Sequence, residues 1–493
     1  MASTPLTPQP IRNIGIYGVI RESEVDGGLV PDGAVSEVKN FHFDRKGAAT
    51  VRPGIAVLGA TIATGYPLWG LHNTQSGSIM AVVSQGGTSR IYAFAGSSWA
   101  SSLTGGTANV KIRFIEAAGR TVVLNFGNAS NMYSSVHFLN TSDSWVTTGN
   151  PINPQALTDQ VSGSPQPIFG EVFKSRLYLA GGNTNGTQIN NSRILFSNII
   201  TSAGNFTWDV TNNFVDINPN DGENITALKR FSQELLIFKP NYIYRFRTTS
   251  TDPDPLIRVG TRSQESVIEG SRGLYFHHDS GFYRYSGGYP INISRAISDF
   301  VSAIPFNYRD DISSWRDEDH IYWSVGDLTV NGESWLNTVF RYTESSEIWT
   351  VYSYAFEPLF GSDYNSGSSL TRVVGLNNGV VATINSGTTD LGEPIKYKLI
   401  TNWYEFGGIA YKKVLRTILG LCEKAQGLIL QYRSDEDPEW KTIGQLRKFY
   451  NLFENKSIVG HRIKFQISGS SRDESAIFQG LEVLEGFNEG IVE

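Results

Sequence analysis

The chain has one cysteine, Cys422, in 493 residues, which excludes an internal disulfide framework and gives no sign of maturation in an oxidising compartment. Long apolar runs are missing too. Nothing approaches the roughly 18 uninterrupted apolar residues of a helical membrane span. The Thr/Pro-rich opening at 1–10 has neither the basic flank nor the apolar stretch of a secretory leader. These absences predict a soluble protein made in a cytoplasm, without a membrane anchor. Helix-period patterns with caps are nearly absent, and the apolar stretch 408–421 is rich in β-branched and aromatic residues, so it reads as strand. Positive charge is not in excess: the net charge of −6 argues against a dedicated nucleic-acid-binding protein.

What the chain does have is 50 glycines and 12% aromatic residues, a composition suited to many tight turns and half-buried pleated strands. A phrase recurs: an aromatic-rich alternating strand, a glycine turn, another strand, then often a tryptophan. Arg90-Ile91-Tyr92-Ala93-Phe94 runs to Trp99, Val136-His137-Phe138-Leu139-Asn140 to Trp145, and Val339-Phe340-Arg341-Tyr342 to Trp349. Trp99 and Trp145 lie 46 residues apart, and Trp208 to Trp349 is 141, three periods of 47. A repeat of this length built from period-2 segments predicts an all-β chain whose body is β-propeller-like. The units fall at about 66–101, 111–145, 169–208, 224–259, 266–293 and 315–354, with a truncated seventh at 373–384, giving six or seven blades.

Three regions follow. Residues 1–58 form an N-terminal arm with a hairpin, strands 34–43 and 48–51 being parted by Asp44-Arg45-Lys46-Gly47 and stopped by Arg52-Pro53-Gly54. Residues 59–388 carry the propeller-like rhythm, interrupted by a Pro/Ser/Gln linker at 150–167. At 389–493 the strands lengthen and gain charge, which predicts a C-terminal antiparallel β-sandwich. Charge is uneven between these regions. Residues 396–465 hold 13 Lys/Arg against 7 Asp/Glu, a balance of +6, while the remainder holds 28 against 40, or −12.

Candidate chemistry is sparse, and no catalytic, cofactor or metal site is expected. Ser434-Asp435-Glu436-Asp437-Pro438-Glu439-Trp440 approaches the Ser-x-Asp-x-Gly-x-x-Trp turn of sialidase-type propellers, but lacks the glycine and brings the tryptophan one place early. Asp317-Glu318-Asp319 offers carboxylates, yet neighbours on a strand point to opposite faces and cannot flank one glycosidic bond. His277-His278-Asp279 diverges for the same reason and has no second ligand cluster nearby in sequence. Asp216, Asn218, Asn220, Asp221 and Gly222 approach a calcium loop whose glycine is one place late and whose closing Glu is missing. Neither a Gly-x-Ser-x-Gly elbow nor a phosphate-binding glycine loop occurs. Cys422, on an apolar strand, reads as an inert core thiol. Tyr242, Tyr244, Tyr275, Phe276, Tyr283 and Tyr285 could stack sugars, but their recurrence at one place in successive units favours cross-strand packing.

Two stretches resemble known phage proteins. Gly27-Gly28-Leu29-Val30-Pro31, Val38-Lys39-Asn40-Phe41, Gly47 and Arg52-Pro53-Gly54 are similar to the opening of bacteriophage tail and head-completion proteins. Thr389-Asp390-Leu391-Gly392-Glu393-Pro394-Ile395, Trp403-Tyr404, Lys412-Lys413, Tyr432-Arg433-Ser434-Asp435, Trp440, Gly444 and Gly460-His461-Arg462-Ile463-Lys464-Phe465 resemble the closing sandwich of the tail hub, or nozzle, proteins of short-tailed phages, also called packaged-DNA stabilisation proteins. The resemblance implies a homo-oligomeric ring of six copies in the virion tail, synthesised in the host cytoplasm. Such a ring hangs below the head-to-tail adaptor and portal complex, is closed by a tail needle or tip protein, and conducts genomic DNA through its bore. It brings no active site, so the chain is expected not to be an enzyme. An acidic lining would repel phosphates, as an exit tube should. The basic stretch 396–465 would dock acidic neighbours, with Lys412 and Lys413 as its expected interface residues. Two other readings fit a propeller: a glycan-binding or depolymerase protein of the phage tail, and a cellular scaffold for protein partners.

Overall fold

The computed structural model describes residues 4–12, 14–15, 17–20, 33–44, 47–126, 137–139, 145–146, 167–181, 183–184, 187–188, 191–201, 206–209, 212–247, 253–365, 370–406, 408–425 and 427–489. The glycine phrase 27–31, Arg45-Lys46 of the hairpin turn, Val136, Asn140 and nearly all of the linker 150–167 lie outside the described residues.

Short alternating segments separated by glycine or Asn/Asp turns can bury themselves only by pairing with sequence neighbours, and the chain folds all-β accordingly. Five successive units form antiparallel four-stranded meanders in a β-propeller arrangement. The first is Leu68–Asn73, Ile79–Gln85, Thr88–Phe94 and Trp99–Thr107. The second is Arg113–Ala117, Arg120–Leu124, His137–Leu139 and Trp145–Val146. The third takes Phe169–Phe173, Arg176–Ala180, Arg193–Phe196 and Phe214–Asp216. The fourth takes Ala227–Phe231, Glu234–Phe238, Ile243–Phe246 and Asp254–Ile257. The fifth takes Ile268–Glu269, Leu274–His278, Gly281–Tyr285 and Ile291–Asn292.

The core lies between these sheets rather than inside one. In Glu234–Phe238, Leu235 and Ile237 pack toward the third blade with Tyr178 and Ile194, whereas Leu236 and Phe238 pack toward the fifth with Leu274 and Phe276. Both faces are covered, so the second strand of a blade is a continuous apolar run. Each such side chain contributes about 1.5–3 kcal/mol when fully buried. Tyr244, Phe276 and Tyr285 are buried in these seams and Tyr275 against Trp323 and Tyr342 in a larger cluster, so packing accounts for the recurrent aromatics.

Two further sheets follow. Pro358–Asn365, Leu370–Leu376 and Val381–Thr383 are joined by the N-terminal strand Ala56–Val57, which supplies the fourth strand to the unit expected to be truncated. Val373 and Val381 pack on Leu68, Ala81 and Val83 of the first blade. Ser313–Asp317, His320–Val330, Glu333–Thr343 and Ile348–Ser353 begin a ten-stranded sheet that continues through Val35–Lys39, Glu393–Thr401, Ile463–Ser471, Ile429–Ser434 and Lys441–Gln445, with Thr389–Asp390 paired to Glu393–Thr401. An eight-stranded sheet has Phe41–Phe43, Ala49–Val51, Ile477–Glu489, Lys412–Lys424 and Phe449–Phe453 in order, with Thr4–Pro5, Gln9–Arg12 and Ile458–Gly460 added along it. One apolar cluster including Phe41, Val351, Leu399, Leu415, Phe465 and Leu481 joins the two large sheets. The expected single strand 34–43 is two strands because Asn40 turns the chain with φ +61°.

Candidate functional site

The two phrases carrying the phage resemblance meet in one buried cluster. Arg52 is fully buried, and all five of its guanidinium N–H groups are used. Nε donates to Asn40 Oδ1 at 2.8 Å, one amino group to Pro53 O at 3.0 Å and Asp390 Oδ1 at 2.8 Å, and the other to Ser353 O at 2.9 Å and Asp390 Oδ2 at 2.5 Å. The Tyr354 ring lies 3.8 Å from the guanidinium carbon. Asn40 Nδ2 donates to Ser353 O at 3.0 Å and Lys396 O at 2.7 Å, and Asn40 Oδ1 also accepts the Ser353 amide at 2.8 Å. Gly54 follows because a Cβ there would lie 2.0 Å from Thr389 O. The motif is a clasp between arm, central sheet and C-terminal strand, with chemistry directed inward.

A second cluster crosses the space ringed by the first strands of the units. These strands approach one another from unit to unit, yet Arg113 of the second blade is paired with Glu265, in the turn Gln264–Ser266 before the fifth, at 2.6 Å. Among the described residues, apolar seams join the second blade to the first and third, not to the fifth. Lys111 likewise reaches Asp311 at 3.0 Å and Asp310 O at 2.7 Å. Burial opposes charge on Glu265, but Arg113 and Lys111 outweigh it and hold the carboxyl at about 2. Asp279 binds Arg262 at 3.0 Å and Arg309 at 3.3 Å. A cavity of about 180 Å³ remains at this end, lined by Trp69, Lys111, Tyr308, Asp311, Glu357 and Phe360. Tyr308 donates to Glu357, whose own carboxyl is raised by burial. The axis of a single propeller is therefore bridged by side chains.

Lys412 is partly exposed and pairs with Glu436 at 2.9 Å. The other residue of the expected interface pair, Lys413, has a wholly buried side chain that donates to Gly408 O and to His461 O, the latter at 3.0 Å. Consecutive strand residues face opposite sides, so only Lys412 faces outward, and burial lowers the Lys413 ammonium pKa. The loop resembling a calcium site already holds a cation: Lys239 Nζ lies 2.8 Å from both Asp221 oxygens and 3.1 Å from Asn218 O. Among the described residues no group of three or more His, Cys, Asp or Glu is arranged to hold a metal ion. Asp317 accepts from Asn385 at 2.6 Å and Asp319 from Ser345 across hairpin ends, with Glu318 in the left-handed turn between them. His277 is buried against Phe282 while His278 turns outward to Ser280 at 2.7 Å. Cys422 is buried, which pushes its thiol up to about 12.

The surface that the sequence reading missed is the strand Phe449–Phe453. It ends the eight-stranded sheet, paired on one side through Leu419↔Leu452 and Leu421↔Tyr450 and on its other side with no strand among the described residues. Phe449, Tyr450 and Leu452 are 60%, 78% and 52% exposed. Asn451 sets this display: Oδ1 accepts the Arg447 amide at 2.6 Å and Nδ2 donates to Arg447 O at 2.7 Å, closing a turn in which Phe449 takes φ +73°. A bulky residue there is strained. Lys448 lies 5.0 Å from the Phe449 ring. A groove of about 560 Å³ beside the strand is lined by Leu419, Leu421, Tyr450, Ile477, Arg12 and Glu482. The available signal was the aromatic pattern of Phe449-Tyr450-Asn451-Leu452-Phe453 between basic residues. No protein-family model and no curated protein matches the chain.

Proposed function

We propose that this chain is the tail nozzle subunit of a short-tailed bacteriophage, a structural virion protein that assembles as a ring, retains packaged DNA and conducts it during ejection. The observation that carries this reading is the exposed aromatic edge Phe449, Tyr450 and Leu452. An unpaired, flat, apolar edge strand is a hazard that proteins blunt unless it is used for association. Charge supports a head-to-tail contact, because the edge belongs to the +6 stretch 396–465 and the remainder of the chain carries −12. Heterologous contacts of that kind close into rings when their rotation permits.

In this reading the sheets 313–353 and 358–383 with 56–57 are the sixth and seventh blades. The eight-stranded sheet and the C-terminal part of the ten-stranded sheet form the sandwich. Six copies would stand below the portal–adaptor complex, with a needle or tip protein at the distal end. Because Arg113–Glu265 and Lys111–Asp311 bridge each propeller axis, the DNA path runs between copies. Electron microscopy of the purified chain, alone and with a portal–adaptor complex, tests this: closed rings with a central opening are expected. Monomers under both conditions, or release of reducing ends from polysaccharide, would overturn it.

A further inference from the structure

The cavity of about 180 Å³ at the bridged axis has a use that the ion pairs around it do not account for. We infer that it binds one neutral aromatic ring carrying a single hydroxyl, either a free phenol or the side chain of a tyrosine. The ring would sit among Trp69, Leu359 and Phe360, with its hydroxyl on Glu357 and Asn377. The cavity lies within one chain, so the inference does not depend on assembly.

The polar end of the cavity sets an acceptor beside a donor. Strands Pro358–Asn365 and Leu370–Leu376 pair, and the residues just outside them are tied together: Asn377 N donates to Glu357 O at 3.0 Å and Glu357 N to Asn377 Oδ1 at 3.3 Å. Tyr308, from the turn Phe306–Tyr308, donates to Glu357 Oε1. Its ring is seated over Gly326, where a Cβ would lie 2.6 Å from Tyr308 Cε2. Among the described residues Glu357 Oε2 accepts no hydrogen bond and Asn377 Nδ2 donates none. Both residues are half-buried, and neither free atom is sealed from solvent. An acceptor beside a donor matches one hydroxyl, which donates and accepts.

The remaining lining selects against other ligands. Pro67, Leu68, Trp69, Leu359 and Phe360 give apolar walls. A sugar would bring several hydroxyls to those walls, and each one buried without a partner costs free energy. The cation in the lining is already engaged, Lys111 pairing with Asp311 at 3.0 Å and donating to Asp310 O at 2.7 Å. Glu357 has no cation beside it and burial raises its pKa, so a second carboxylate there is disfavoured. An engineered cavity of about 150 Å³ lined by aliphatic and aromatic side chains binds benzene. A volume of about 180 Å³ therefore suits one ring with a small substituent.

Titration of the full chain, followed by saturation-transfer NMR and tryptophan fluorescence, tests the site. The probes are p-cresol, toluene, benzoate and methyl glucoside, with N-acetyltyrosinamide beside N-acetylphenylalaninamide. p-Cresol should bind about tenfold tighter than toluene, the scale of one buried hydrogen bond, and tighter than benzoate or methyl glucoside. Glu357→Gln replaces the free acceptor by a donor and should remove most of the preference for p-cresol over toluene. Trp69→Ala should weaken both. Thermal melting of each variant separates lost binding from lost fold. N-acetyltyrosinamide binding at least as tightly as p-cresol, and tighter than its phenylalanine counterpart, assigns the site to a tyrosine of a partner chain; binding of p-cresol without it assigns the site to a free phenol. No binding of p-cresol, equal affinity for p-cresol and toluene, benzoate or methyl glucoside binding as tightly as p-cresol, or a folded Glu357→Gln with the preference unchanged overturns the inference.

Discussion

At the scale of single residues the strongest dependence falls on Arg52. A buried guanidinium with five satisfied donors leaves several acceptors orphaned when removed, so Arg52→Ala should cost about 3–5 kcal/mol in chemical denaturation. Arg52→Lys should cost nearly as much, since an ammonium has three donors and no planar fork to match Asp390. Arg52→Ala with Asp390→Ala should cost less than the two single changes together, because each alone strands the other's charge. His277 governs a different property. Burial lowers its pKa to about 3, against about 6.5 in an unfolded chain. Below pH 6.5 the unfolded state binds a proton that the folded state refuses, so stability falls on acidification and levels off near pH 3. The slope should approach 1.4 kcal/mol per pH unit for this one group. Denaturation midpoints between pH 7.5 and 4 should flatten in His277→Phe relative to the unaltered chain; parallel curves would show that His277 is not buried neutral.

At the scale of elements the exposed strand Phe449–Phe453 makes the sharpest prediction. Phe449→Ser, Tyr450→Ser and Leu452→Ser together remove apolar surface that faces water in the single chain, so each should alter stability by no more than about 0.5 kcal/mol. Light scattering should nonetheless show the assembled particle falling to single chains; an unchanged mass would place the contact elsewhere. This strand was hard to read from sequence because Phe449 starts it with a left-handed residue and only Asn451 is fully buried, Phe453 being partly buried against the core. The blade strands were legible, since Leu235-Leu236-Ile237-Phe238 and Gly281-Phe282-Tyr283-Arg284-Tyr285 announce themselves by composition and bounding turns. Pairing between distant segments was not. Nothing local in Ala56-Val57 says that it completes the sheet of Val381–Thr383, and nothing in Lys412-Lys413 says that one is exposed and the other buried. The clasp was half-legible: Asn40, Arg52 and Asp390 belonged to the two resembling phrases, but their contact depends on chain closure that no local pattern encodes.

At the scale of the whole molecule charge and closure act together on the proposed ring. If the basic edge of one copy meets the acidic remainder of the next, attraction between partly exposed charges should weaken as the Debye length shrinks from about 10 Å at 0.1 M salt to about 3 Å at 1 M. The apolar contribution of Phe449, Tyr450 and Leu452 would persist over that range, since it depends on area removed from water rather than on charge. Particle mass should therefore decline gradually with salt and recover on dilution, and Lys412→Glu should displace the decline to lower salt without altering the melting of the single chain. Image averages of the same particles bear on the DNA path. Each copy should appear as a disc whose centre is filled at the level of Arg113 and Glu265, with the opening at the symmetry axis of the assembly. A continuous channel through every disc and a filled assembly axis would contradict the bridging pairs, and with them a DNA path between copies.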